Sequence, residues 1–364
     1  MKHLCLFSFL ALGFIIAPTA SYAQQRLPQV TDSIRRAYNI PELGFAIIKP
    51  DTIAALYLCG HHRSNQNDVT DSARVSDYFH LGSNTKAITG FVAGWLVENG
   101  QLQWTTKFFD LFPEWKAKSN PSYYDITLSD LLSHRARIQP FTSGAEQKKL
   151  PKFKGNPSEQ RKQFAKFLLT QDPVAADGES YHYSNAGYSI AALMLEQASG
   201  RSWEALVKEV LEEKLQLRYT LGWPNRLNLM QPWGHWMEGG KIQPVAPNVP
   251  YDLRLIEPAG DISMPLADYA RLIQLHLKGL KGQDNFLKSS TYQYLFTSRP
   301  DYSIGWLNAT DSEQQLSEHA GSAGTFYCYT LINRKTGIAY VAVANCGGTQ
   351  AEEGVLALVQ QLSD

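Results

Sequence analysis

The chain has no excess of either charge: 34 Lys and Arg are set against 34 Asp and Glu, a formal net charge of zero. Long-range attraction to nucleic acid or an anionic surface needs a basic bias, so neither partner is expected. Cysteine is scarce, with Cys5, Cys59, Cys328 and Cys346 far apart and no Cys-x-x-Cys among them. That pattern is not a disulfide framework, and the last three read as packed residues with at most one bridge. No His-Glu-x-x-His or comparable ligand spacing occurs; His61-His62 stand alone. No metal and no cofactor are therefore expected. There is no internal repeat and no low-complexity stretch. The apolar run from Leu4 to Ala17 covers about 14 residues, short of the roughly 20 needed to span a bilayer.

What is present is material for a large ordered core. Of the 364 residues 44% are hydrophobic, including 8 Trp, 18 Tyr and 16 Phe. The N-terminus has the layout of a signal peptide: basic Lys2-His3, the apolar run, then Ser21-Tyr22-Ala23 with small residues where a signal peptidase reads. Cleavage after Ala23 gives a periplasmic or secreted chain with no integral membrane span. Cys5 opens the apolar run rather than following it, which argues against lipid modification.

The remainder, 24–364, reads as one domain. Leu43 to Ile48 and Thr52 to Cys59 are β-rich runs split by Lys49-Pro50-Asp51, a hairpin pattern. Helical spacing begins at Ser83 and stops at Gly100. Helical patterns follow over Leu128–Ser133, Glu159–Leu169, Tyr188–Ala198, Trp203–Leu215 and Pro265–Leu277, with a Pro- and Gly-rich excursion from Pro224 to Pro258 that carries one hairpin around Gly239-Gly240. Strand-like runs return at Gln315–His319, Phe326–Asn333 and Ile338–Asn345, and a helix over Glu352–Leu362 closes the chain. The expected fold class is α/β (α+β): an antiparallel sheet built from both chain ends (about 24–86 and 297–364), flanked by helices, with a mostly helical insertion at about 87–296.

Three short motifs stand in order. Ser83-Asn84-Thr85-Lys86 is the one Ser-x-x-Lys, and a chain of this length should hold about one by chance. Its place is informative, because the strand-like run Tyr78 to Leu81 passes through Gly82 into a helix there. A hydroxyl at that junction meets free backbone N–H groups and the positive end of the helix dipole. Lys86, one turn on, shares its face. A plain helix cap would also explain Ser83 taken alone. Tyr183-Ser184-Asn185 sets a phenol and an amide two residues apart, facing the same way if the backbone is extended. A buried tyrosine with a loop-capping Asn is the alternative. His319-Ala320-Gly321 ends a strand; the imidazole there can hold a substrate carboxylate or help a proton move, and the glycine lets backbone come close. The N–H groups of Ser83 and Ser322 would together form an oxyanion hole.

Joined in this order, the motifs resemble the serine β-lactamase and penicillin-binding-protein superfamily, closest to its class C β-lactamase, DD-peptidase and esterase branch. Leu131-Leu132-Ser133-His134, Pro258-Ala259-Gly260 and Ile304-Gly305-Trp306 extend the likeness. The resemblance implies that Ser83 is acylated after losing its proton to a Lys86–Tyr183 pair. It further implies that Asn185, His319, Gly321 and Ser322 bind substrate, and that water releases the acyl group without a metal or cofactor. Free Lys and Tyr titrate near about 10.4 and 10, so their surroundings must shift the pair, and the sequence does not say which takes the proton.

Lys335-Thr336-Gly337 spells a third motif of many such enzymes, but it falls between two strand-like runs and reads as a hairpin turn. The chain departs from the pattern in three places. His319 stands where dedicated β-lactamases carry lysine, Arg135-Ala136-Arg137-Ile138 replaces the usual run after His134, and Asp261 replaces a glycine. Arg135 and Arg137 either pair with nearby acids or add cationic selectivity. The expected activity is hydrolysis of a small-molecule or peptide amide or ester, with a D-amino-acid peptide foremost. A carboxylesterase of the same fold and a non-catalytic binding module are the competing readings.

Overall fold

The computed structural model describes residues 22–64, 71–143, 146, 150–174, 181–238, 241–309, 313 and 315–363. Most of the expected leader lies outside these residues. The elements that position the site are α1 (Tyr22–Ala37), β1 (Glu42–Ile48), β2 (Ile53–Gly60), β3 (Tyr78–His80), α2 (Thr85–Glu98), α3 (Asn185–Ser199), β4 (Thr220–Leu221), β5 (His235–Glu238), β6 (Lys241–Pro244) and β7 (Ile262–Pro265). They continue with α4 (Leu266–Leu280), β8 (Leu307–Asn308), β9 (Leu316–Ser322), β10 (Tyr327–Asn333), β11 (Ile338–Ala344) and α5 (Thr349–Ser363).

The two chain ends build one antiparallel sheet in the order β2-β1-β11-β10-β9-β8, as expected. Alternation of side chains sorts its residues between two cores. Leu43 and Phe45 of β1, with Ala342 and Ala344 of β11, pack under α5 through Ala351, Val355 and Leu358. Ala46, Ile48, Val341 and Val343 face the other way, toward the helical region. Helix α1 joins α5 on the outer layer; the sequence patterns did not reveal it.

Helix α2 is buried from Thr85 to Gly94, with Leu96 below it. A helix enclosed on all sides is apolar all round, so a lysine inside it is exceptional. Close packing here depends on Gly305, at φ 81°, where a Cβ would lie 2.6 Å from Ala87 Cα. A second sheet in the order β3-β7-β4 sits where the helical region meets α2. The segment expected to be one helix over Trp203–Leu215 is α-helical only to Val207 and widens to a π-helix over Lys208–Lys214. β5 and β6 form the expected hairpin in the Pro/Gly-rich excursion.

Lys335 is exposed in the β10–β11 turn, with Gly337 at φ 75° and Asn333 Oδ1 accepting the Thr336 N–H. Cys59, Cys328 and Cys346 are free, and burial pushes the thiols of Cys59 and Cys346 up to about 12. No helix among the described residues is long and apolar enough to cross a membrane.

Candidate active site

The strand β3 delivers the chain into a tight turn, Gly82–Asn84, before α2 begins. Gly82 takes φ +52°, and a Cβ on it would sit 2.4 Å from Ser322 N. From the other side, a Cβ on Gly321 would sit 2.1 Å from Leu81 O and 2.7 Å from Ser83 N. The two glycines thus let the end of β9 press against the turn, and the backbone of Ser322 and that of Ser83 meet at one spot. His80 steadies the turn. Its Nδ1 accepts the Gly82 N–H at 3.2 Å, so its Nε2 carries the proton and donates to Asp261 Oδ1 at 3.0 Å. That pairing gives the departure at Asp261 a physical reason.

Lys86 is wholly buried one turn along α2. Its Nζ lies 2.6 Å from Asn185 Oδ1, 2.9 Å from Ala259 O and 3.2 Å from Ser83 Oγ. Burial holds its pKa well below the usual lysine value. Two of the three neighbours are obligate acceptors. Two N–H groups of Lys86 are therefore committed to Asn185 and Ala259, while Nζ stays within hydrogen-bond reach of the Ser83 hydroxyl. The turn holding Ala259 is fastened nearby, where Thr89 Oγ1 donates to Pro258 O at 2.7 Å.

Asn185 opens α3 behind the N-cap Ser184, whose hydroxyl accepts the Gly187 N–H. The amide of Asn185 also donates to Phe141 O at 2.8 Å, which fixes which end of it meets Lys86. The Ser83 hydroxyl acts to lower the pKa of Tyr183, but burial outweighs it and drives the pKa up. The Lys86 nitrogen lies 4.6 Å from the centre of the Tyr183 ring, over its face rather than against its hydroxyl. The two therefore do not form a Lys⁺–Tyr⁻ ion pair.

His319 lies on β9 with both ring nitrogens engaged. Its Nδ1 is 2.7 Å from Ala320 O and must donate there, so its Nε2 accepts from the Tyr302 hydroxyl at 2.9 Å. Burial pushes its pKa down to about 3. The ring is neutral and presents no free nitrogen to a carboxylate. Tyr302 was not singled out by the sequence patterns, and His134 entered only within the Leu131-Leu132-Ser133-His134 likeness, without a role. The His134 ring centre sits 4.3 Å from that of Tyr183 and 4.5 Å from that of Tyr302, and its Nδ1 accepts the Ser184 N–H at 3.1 Å. The His134 that follows Leu131-Leu132-Ser133 thus wedges Tyr183 in place. Arg135 pairs with Asp301 and also donates to Tyr302 O at 3.0 Å, so it braces the Tyr302 loop.

A cavity of about 230 Å³ opens at this spot, with Ser83, Asn185 and Ser322 on its floor and Phe141, Tyr251 and Asp252 on its walls. Lys86, Tyr183 and His319 are not among its lining residues. Among the described residues lining it there is no cation.

Comparison with known proteins bears on this arrangement. The Beta-lactamase family model matches residues 27–363. Protein flp of Staphylococcus aureus (strain MW2) is 21% identical over 330 residues, covering 89% of this chain and 63% of its own length. Penicillin-binding protein 4 of Amycolatopsis lactamdurans is 24% identical over 251 residues, covering 68% of this chain and 62% of its own. The chain thus spans just under two thirds of the curated relatives it matches. Among solved structures, SurE superposes with a TM-score of 0.76 at 19% identity, covering 94% of this chain and 75% of that one. The octameric penicillin-binding protein homologue from Pyrococcus abyssi gives 0.75 at 19% identity, covering 93% and 77%. At these identities the likeness concerns the fold.

Proposed function

The chain belongs to the β-lactamase family, whose fold is of the serine-hydrolase type, and on that premise we propose that it is an exported serine hydrolase working through an acyl-enzyme on Ser83. The observation that carries this reading is the buried Lys86 amine, held by Asn185 and Ala259 at 3.2 Å from Ser83 Oγ. Burial favours the neutral amine, and in that form, with two N–H groups on Asn185 and Ala259, Lys86 turns its lone pair to the Ser83 hydroxyl. Lys86 is then the base, and Tyr183, kept protonated by burial, gives its own hydroxyl proton to the leaving group; the proton taken by Lys86 restores the tyrosine as the site resets.

Ser83 Oγ bonds to the carbonyl carbon as its proton passes to Lys86. The oxyanion is received by the N–H groups of Ser83 and Ser322, which the Gly82–Gly321 contact brings together. Collapse expels the leaving group with the proton, and water then cleaves the acyl ester by the same route. Asn185 holds Lys86 and offers its amide edge to substrate. Gly321 provides the close approach. His319, neutral and bonded at both nitrogens, is a positioning residue that ties β9 to Tyr302.

For the substrate, the foremost reading is an amide of a small molecule or peptide containing D-amino acids. One neighbour of the same fold, SurE, has been solved with D-Leu. A carboxylesterase is favoured instead by the described cavity wall, which carries Asp252 and no cation to hold a carboxylate. Export rests on the N-terminal pattern, with cleavage after Ala23 and a single domain over 24–364.

The test compares wild type and Ser83→Ala on a chromogenic cephalosporin, a D-Ala-D-Ala peptide and a short-chain nitrophenyl ester. Loss of at least about 10³-fold on the preferred substrate is expected. Equal activity of both proteins on every substrate removes the nucleophile assignment. Stoichiometric labelling by a fluorophosphonate, with no turnover of any substrate, would support a non-catalytic binding module instead.

A further inference from the structure

Away from the cavity, three side chains meet where the first strands of both sheets are rooted. Glu42 opens β1, His62 follows the end of β2, and Asp77 immediately precedes β3. Their candidate ligand atoms all lie within 4.8 Å of one another, and the residues are 0%, 0% and 1% exposed. Asp77 Oδ2 lies 2.9 Å from His62 Nε2. Both carboxyl oxygens of Glu42 are buried without a hydrogen-bond donor, and so is His62 Nδ1.

The backbone around the trio is held from several directions. Asn345 Oδ1 accepts the Glu42 N–H at 2.7 Å while its amide donates to His62 O at 3.1 Å. The His62 N–H donates to Asp71 O at 2.8 Å. Asp71 itself is engaged by Arg63. Asp77 is held by its own turn, where its N–H donates to Arg74 O at 3.0 Å and its Oδ2 also accepts the Arg74 N–H.

From this geometry we infer that Glu42, His62 and Asp77 form a binding site for a borderline divalent cation of the Zn²⁺ type. Two carboxylates and a neutral imidazole balance a charge of +2, and the ion supplies the partner that the Glu42 oxygens lack. The mixed nitrogen and oxygen donor set suits Zn²⁺ and its neighbours, whereas Ca²⁺ and Mg²⁺ prefer oxygen shells of higher coordination. Three protein donors leave a further position for a fourth ligand. The role is structural, because the ion would tie the root of β3, and so the approach to Ser83, to β1 and β2.

The experiment uses the full chain, stripped with a chelator and dialysed, then titrated with zinc chloride while bound metal and thermal midpoint are followed. One equivalent should bind, and saturation should raise the midpoint by at least about 2–4 °C. Glu42→Gln and His62→Gln should each lose that equivalent and the shift. Absence of retained zinc and of any shift in the wild type overturns the site. So does an unchanged response in both variants, which would place the zinc elsewhere. An unaltered midpoint in Glu42→Gln together with zinc indifference of the wild type also overturns the site and means that Glu42 is protonated and shares its proton with Asp77. If one variant does not fold, the wild-type titration and the other variant decide.

Discussion

Asn185→Asp is the substitution that most closely interrogates the neutral state of Lys86. The change is nearly isosteric and places a carboxylate where Asn185 Oδ1 now lies, 2.6 Å from Lys86 Nζ. Two opposite charges about 4 Å apart interact by about 4 kcal/mol at an effective dielectric of 20. Against about 1.4 kcal/mol per pKa unit that is about three units, and desolvation of the new carboxylate reduces it. A rise of about 1–3 units in the Lys86 pKa is the working figure. The amine is then protonated at pH values where the wild type has it free, and the lone pair facing Ser83 is lost. The acid limb of kcat/KM should move to higher pH by about 1–3 units, and the rate on that limb should fall about 10- to 1000-fold. A pH–rate profile on the best ester substrate measures both. The second carboxylate oxygen would also replace the donor to Phe141 O, at a stability cost of about 1–3 kcal/mol. The thermal midpoint reports that cost separately from the limb. An acid limb that stays in place or moves to lower pH would refute the reasoning.

Lys86→Met should lose at least about 10²-fold in activity yet unfold at a higher temperature than wild type at neutral pH. The sign follows from linkage: burial lowers the folded-state pKa, so the unfolded chain binds more protons and Lys86 destabilises the fold below the unfolded lysine value. The wild-type penalty relaxes as pH rises from the lowered value toward that of free lysine, so the difference between the proteins should shrink at high pH. Gly321→Ala should fail to express as a folded enzyme or lose at least about 10²-fold in activity, because its Cβ would lie 2.1 Å from Leu81 O; activity and circular dichroism together read this. Lys335→Ala in the exposed turn should leave rate and midpoint unchanged within about 0.5 kcal/mol, whereas Tyr302→Phe, which removes the donor to His319 Nε2, should lower stability by about 1–3 kcal/mol in denaturant unfolding.

Much of this arrangement was legible in the chain because the signals are local. The turn at Lys49-Pro50-Asp51 gave the β1–β2 hairpin, and the place of Lys335 between two strand-like runs marked it as a turn residue, apart from His319. What escaped attention is held by partners far apart in sequence. His80 meets Asp261, and His319 meets Tyr302. The strands of the small sheet are only two to four residues long and show no periodicity to read. The expected role of His319 as a carboxylate anchor presupposed a free nitrogen, and only the packing around Tyr302 revealed that neither is free. Glu42, His62 and Asp77 likewise converge from three different strand ends, so no local histidine spacing marks them.

The hydrolase function proposed for this chain rests on covalent chemistry at Ser83. Incubation with a fluorophosphonate, followed by proteolysis and mass spectrometry of the peptides, tests it directly. The account predicts one adduct, on the peptide containing Ser83, formed faster as pH rises through the lowered Lys86 pKa and absent from Ser83→Ala. An adduct on another residue, or undiminished labelling of the Ser83→Ala protein, would contradict it.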